Sequence, residues 1–102
     1  MTQETREALV KVRALIARGW TQGHRQALVN GVNYYSLAEA IRTVRLDYPE
    51  ADLSNLVRER IASLLGLDPW RRDTGLVRWN DKAGRTQEDV LRLLDSVLEE
   101  GT

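Results

Sequence analysis

The chain has 102 residues and no cysteine, and its 15 basic and 15 acidic side chains balance to a net charge of zero. Disulfides, zinc–thiolate sites and thiol nucleophiles are therefore excluded, and the neutral balance argues against a general phosphate binder. With 42% apolar and 29% charged residues, the composition is that of one soluble globular domain, residues 1–102, large enough to bury a single core. Glu4, Arg6, Glu7, Lys11, Arg13 and Arg18 interrupt residues 1–20, which no secretory apolar core tolerates. No apolar run approaches the ~20 residues of a membrane span, so a cytoplasmic protein without a membrane partner is expected.

Four helices and a hairpin can be read in chain order. Ala8, Leu9, Val12, Leu15 and Ile16 recur at helical spacing and predict a helix from about Thr5 to Arg18, with Gly19 placed to stop it. In the segment 28–35, Asn30-Gly31 is the preferred type I′ turn, and the flanking β-branched and aromatic residues predict a short hairpin. Ser36, with Glu39 three residues on, matches a capping box. It opens a helix whose stripe is Leu37, Ala40, Ile41, Val44 and Tyr48, ended by Pro49. A third helix from about Asp52 to Leu65 presents Leu53, Leu56, Val57, Ile61, Leu64 and Leu65, and Gly66 stops it. Residues 67–85 read as a long loop anchored by Trp79, with Asn80 and Asp81 as turn formers and Gly84 free to take unusual backbone angles. Thr86 and Asp89 then start the last helix, which runs to about Glu100 with Val90, Leu91, Leu94, Val97 and Leu98 as its stripe. The fold class expected is mainly α: a compact bundle of about four helices, a small hairpin near 28–35 and a Trp-anchored loop over 67–85.

Three blocks stand together: Gly19-Trp20-Thr21-Gln22-Gly23, Tyr35-Ser36-Leu37-Ala38-Glu39-Ala40-Ile41, and Trp79-Asn80-Asp81 followed by Gly84-Arg85-Thr86. Their order resembles a family of small uncharacterised proteins from actinobacteria and their phages, over about residues 8–98. In that family's pattern a cysteine commonly stands at the position of Ser36 and a glycine at that of Glu39, so no thiol or close-packing role carries over to this chain. The resemblance implies fold and source and brings no established activity.

The zero net charge conceals blocks. Residues 1–25 carry five basic and two acidic groups, 26–69 four and six, 70–85 five and two, and 86–102 one and five. The basic block Arg71, Arg72, Arg78, Lys82 and Arg85 is interleaved with Trp70 and Trp79. Arginines track phosphates while aromatics stack bases, so a nucleic-acid interface is one reading. The plainer reading makes both tryptophans core plugs and the arginines a solvated face. A minimal hydrolase could in principle be assembled from His24, Ser36 and Asp81, but no nucleophile elbow holds them together. Gly84-Arg85-Thr86 is a weak phosphate cradle, surrounded by the carboxylates of Asp81, Glu88 and Asp89. One histidine and scattered carboxylates have no metal-ligand spacing, so neither a metal nor a cofactor is expected. What remains is a non-enzymatic interaction module. It would bind a protein partner, or a second copy of itself, through the hairpin and a loop carrying Trp70, Arg71, Arg72, Arg78, Lys82 and Arg85, with Trp20, Ser36, Glu39, Trp79, Asn80, Asp81, Gly84 and Thr86 as structural residues.

Overall fold

The first helix, α1 (Gln3–Arg18), begins where the Thr2 hydroxyl accepts the Thr5 N–H at 3.1 Å. Ala8, Leu9, Val12 and Ile16 on its inner stripe are fully buried. The computed structural model describes residues 1–24 and 26–100; Arg25, counted above in the basic block 1–25, and Gly101 and Thr102 lie outside them. Gly19 ends α1 in extended backbone, φ 176°, and not in the left-handed form expected of a helix stop. Glycine is required there because a Cβ would run into the Tyr34 ring.

The hairpin pairs β1 (Gln26–Val29) with β2 (Val32–Tyr35), Val29 facing Val32 and Gln26 facing Tyr35. Asn30 and Gly31 both have positive φ, 50° and 79°, as a type I′ turn demands. Two strands alone are marginal in water. Here the second edge of β2 is fastened to the chain leaving α1, through Tyr35 N–H to Gly19 O at 3.0 Å and Thr21 N–H to Tyr35 O at 3.2 Å.

Ser36 caps α2 (Leu37–Arg45) by accepting the Glu39 N–H at 3.3 Å. Among the described residues Glu39 makes no return bond, so the capping box is half formed. The connection 46–52 then leads into α3 (Leu53–Leu65). Leu53, Val57 and Ile61 are buried as expected, but Leu64 and Leu65 are 55% and 44% exposed, because the inner stripe of α3 ends at Ala62.

Residues 67–85 are not one loop. A single 3₁₀ turn at Arg72–Thr74 leads into a short helix, α4 (Leu76–Asp81). Asn80 and Asp81 are therefore helical, which corrects their reading as turn residues, and Trp79 is not in a non-helical segment. Six residues are too few for a hydrophobic period to register. This helix exists because Trp79 and Asn80 are buried against α2 and α3, and tertiary contact overrides local propensity. After Gly84, φ 84°, α5 (Gln87–Glu100) follows, and α1 lies at the centre, packed against α2, α3 and α5.

The start of α5 is a full reciprocal cap. Thr86 N–H donates to the Asp89 carboxylate at 2.9 Å, and Asp89 N–H donates to the Thr86 hydroxyl at 3.1 Å. The backbone hydrogen bond from Thr86 holds the Asp89 carboxyl below the ordinary carboxylate range. In acid the unfolded chain thus takes up this proton first. The stabilisation is complete above the unfolded carboxyl value of about 3.9 and is lost as pH falls through the lower folded value. Melting temperatures measured from neutral to strongly acidic pH should fall less steeply through that window for Asp89→Asn than for the parent.

Candidate functional site

Asn80, next to Trp79 on α4, is fully buried. Its Oδ1 accepts from Trp20 Nε1 at 2.6 Å and from Leu37 N–H at 3.0 Å. Its Nδ2 donates to Thr21 O at 3.0 Å and to Asp81 Oδ1 at 2.9 Å. Indole and backbone N–H groups can only donate and a carbonyl can only accept, so the amide has one chemically allowed orientation. Gln22 Nε2 adds bonds to the carbonyls of Asn80 at 3.0 Å and Lys82 at 2.9 Å, and Gly23 N–H reaches Asp81 Oδ1 at 2.9 Å. As turn formers, Asn80 or Asp81 would accept backbone N–H bonds within the approach to Thr86. They instead clamp α4 onto the α1–β1 connection and, through Leu37, onto the N-terminus of α2.

Trp79, 6% exposed, packs into the core beside this clamp. The Arg85 guanidinium lies 3.9 Å from its ring centroid while Arg85 Nε donates to Trp79 O at 2.9 Å. Trp70, of the same residue type, is 67% exposed and carries the Arg58 guanidinium 5.5 Å from its ring centroid. Of the tryptophans at 70 and 79, Trp70 therefore has the ring surface free for a partner. Trp20 serves as a half-buried strut whose N–H is taken by Asn80.

Between α2, α3 and α4 lies an open cleft of about 1090 Å³. Arg58, Arg72, Arg78, Lys82 and Arg85 line it, with Asp73 and Asp81, and Leu65, Leu76 and Val77 supply apolar surface. Four of the five sequence-predicted cations therefore meet at one place. Arg71 lies outside the lining and pairs with Asp73 at 3.6 Å, a carboxylate it shares with Arg78 at 3.3 Å. Arg72 and Lys82 have no ion pair among the described residues. Arg58, on α3, is absent from the sequence-based set because it lies far from 71–85 along the chain. Ser54, Arg58 and Leu65 share one helical face and all three line the cleft, but nothing in the sequence ties that face to the run 71–85.

His24, Ser36 and Asp81 share a smaller adjoining cavity of about 400 Å³, but the structure forms no relay from them. Ser36 Oγ is occupied as a cap, Asp81 Oδ1 accepts from Gly23 and Asn80, and His24 makes no hydrogen bond among the described residues. At the start of α5 the amides of Thr86 and Asp89 are taken by the Asp89 carboxylate and the Thr86 hydroxyl, which sets a negative charge of the chain's own beside Gly84-Arg85-Thr86. Among the described residues no three His, Asp or Glu side chains converge on a metal position, and no helix is long and apolar enough to cross a membrane.

The chain belongs to a family of unknown function, DUF6197. The family model matches residues 1–100, which takes in every element from α1 to α5. No curated protein and no solved structure matches the chain. The family brings no chemistry with it, so the residues of the cleft carry the functional argument.

Removing the Asn80 amide leaves the buried Leu37 N–H and the part-buried Trp20 Nε1–H and Thr21 carbonyl without partners, at about 1–3 kcal/mol for a buried group. Asn80→Ala should therefore lose about 3 kcal/mol or more by denaturant titration and clearly exceed Asp81→Ala, whose carboxylate is exposed. Trp79→Ala should lose about 3–5 kcal/mol in the same assay, out of a total of roughly 5–15 kcal/mol.

Proposed function

We propose that the protein is a non-enzymatic interaction module that holds a partner protein in the cleft between α2, α3 and α4. One observation carries this reading: exposed apolar side chains and cations without acidic partners line the same preformed depression. Leu65 and Val77 are 44% and 60% exposed, and both line the cleft with Arg72 and Lys82. Exposed apolar surface of this kind, rimmed by charge, is characteristic of protein–protein contacts, where Trp and Arg are enriched. Trp70 at 67% exposure provides an aromatic anchor beside it. The hairpin, with Leu28 71% exposed, offers a second contact surface for the partner or for another copy of the chain.

The resemblance of Trp79-Asn80-Asp81 and Gly84-Arg85-Thr86 to small actinobacterial and actinophage proteins supports a bacterial cytoplasm as the setting and a host or assembly factor as the partner. Nucleic acid is the second reading, favoured by the basic lining and the free ring of Trp70. It is weakened by the burial of Trp79 and by the aliphatic residues, which a sugar–phosphate strand would leave wet.

The test is to purify a partner captured from an actinobacterial host and measure its binding to the parent and to the double variant Arg72→Glu, Lys82→Glu. Binding should weaken at least about tenfold, since close charge pairs across interfaces are worth more than about 1.5 kcal/mol. Both substitutions are at exposed positions, so melting should stay within about 3 °C of the parent. Undiminished binding by the double variant would sink the assignment.

A further inference from the structure

We infer that the occupant of this cleft is an acidic amphipathic segment of the partner, with a carboxylate closing on Arg58; this rests on the interaction-module reading and names the chemistry of its ligand. The first observation is Arg58 itself. Its Nε is buried and has no hydrogen-bond partner, while its guanidinium is held over Trp70. A buried donor left unmade is costly, and a turn of the side chain that brings Nε toward the cleft would let the guanidinium fork take a carboxylate with two parallel hydrogen bonds. Arg60, two residues on, shows the satisfied alternative: it donates to Ser96 Oγ at 3.0 Å and to Glu100 at 2.7 Å. Of these two arginines on one helix, the one that lines the cleft is the one lacking an acceptor.

The second observation is the charge around it. Five cations line the cleft against two carboxylates, and both carboxylates are engaged within the protein, Asp73 by Arg71 and Arg78 and Asp81 by Gly23 and Asn80. The remaining field favours an anionic ligand carrying more than one charge. The third is the aliphatic surface of Leu65, Leu76 and Val77 in the same cleft. A bare anion or a phosphodiester strand would satisfy the cations and leave that surface in water. A peptide with carboxylates on one side and aliphatic side chains on the other satisfies both.

The acidic α5 of a second copy is a poor occupant. Asp95 is paired with Arg13, Glu100 with Arg60, and Glu88 with Arg92, and Asp89 caps its own helix. Docking α5 of another molecule would first break those contacts. With those carboxylates already matched within their own chain, we assign the segment to a different protein.

The experiment titrates the intact protein into a labelled synthetic peptide with glutamates and leucines on opposite faces, read by fluorescence anisotropy. The comparators are the same peptide with its leucines replaced by serine, the same peptide with its glutamates replaced by glutamine, and labelled oligothymidylate. The amphipathic acidic peptide should bind tightest, and each altered peptide should bind at least about tenfold more weakly. Arg58→Met should weaken the acidic peptide by about ten- to a hundredfold, the value of a charge-assisted hydrogen bond. Arg58→Lys keeps the charge but not the fork, and should recover part of that loss. Melting curves of both variants separate lost recognition from lost folding, and if Arg58→Met does not fold, Arg58→Lys alone must weaken binding. Equal affinity for all three peptides, tighter binding of oligothymidylate, or indifference to both Arg58 variants overturns the inference. A purified partner that needs Arg72 and Lys82 yet ignores Arg58 would overturn it while leaving the interaction-module reading in place. A partner indifferent to all of them would end both.

Discussion

The structure depends on one side-chain amide. Asn80 uses both lone pairs of Oδ1 and both hydrogens of Nδ2, the whole hydrogen-bonding capacity of the group. Its partners come from α1's exit, from α2's first free N–H and from the next residue of α4. Ser36 already caps α2 by accepting the N–H of Glu39, and Asn80 supplies a second cap from 43 residues away. One side chain thus resolves an open helix end and fixes the relative placement of three elements. In the interior, where the effective dielectric is low, such a saturated set is stronger than the same bonds in water and intolerant of partial loss. That intolerance specifies a single position for α4, and α4 is the wall of the cleft.

The charge blocks acquire meaning once the elements are assembled. The acidic α5 is met by Arg13 and Arg60 and by its own Arg92, so much of the negative block is matched by bases of α1, α3 and α5. These pairs are largely exposed, and each contributes little to stability. Their consequence lies in what they leave over. The positive block 70–85 retains only Asp73 and Asp81, and both are committed to local contacts. A chain with zero net charge in this way presents a distinctly basic cleft.

The parts legible in the sequence are those governed by local rules. The helical stripes, the Asn30-Gly31 turn and the Thr86–Asp89 cap depend on residues within a few positions of one another, and the structure forms them except at stripe ends, where Tyr48 lies beyond α2 and Leu64 and Leu65 stay exposed. Asn80 is different, because its side-chain partners Trp20, Thr21 and Leu37 lie 43 to 60 residues away. Local propensity makes Asn-Asp a turn, and only the assembled fold makes it the end of a buried helix. Trp70 and Trp79 show the same limit, since identical side chains nine residues apart in one segment end at 67% and 6% exposure. The basic cluster was visible as a run in sequence, but Arg58 was not, because α3 joins that run only through folding. Leu64 and Leu65 fit the helical period and yet face solvent; periodicity identifies a face but not where along the helix the covering elements stop.

A cleft can bind tightly only if little of the binding free energy is lost in ordering it. The connection 67–75, which borders it, makes no regular helix or strand beyond one 3₁₀ turn, and on length alone it would be a flexible approach. It is instead pinned from within. Thr74 is fully buried, its single hydroxyl proton shared between Pro69 O and Arg71 O, each at 2.7 Å. Trp70 N–H is held by Asp68 at 2.8 Å, and Asp73 bridges Arg71 and Arg78. On the far side, Arg85 stacks on Trp79 and binds its carbonyl, closing the turn from α4 into α5. With both flanks and the α4 wall fixed, the freedom remaining at the cleft is that of long side chains, chiefly Arg72 and Lys82. Such a surface keeps a constant shape while its charges adapt, which suits recognition of a segment defined by its pattern of charge and apolarity.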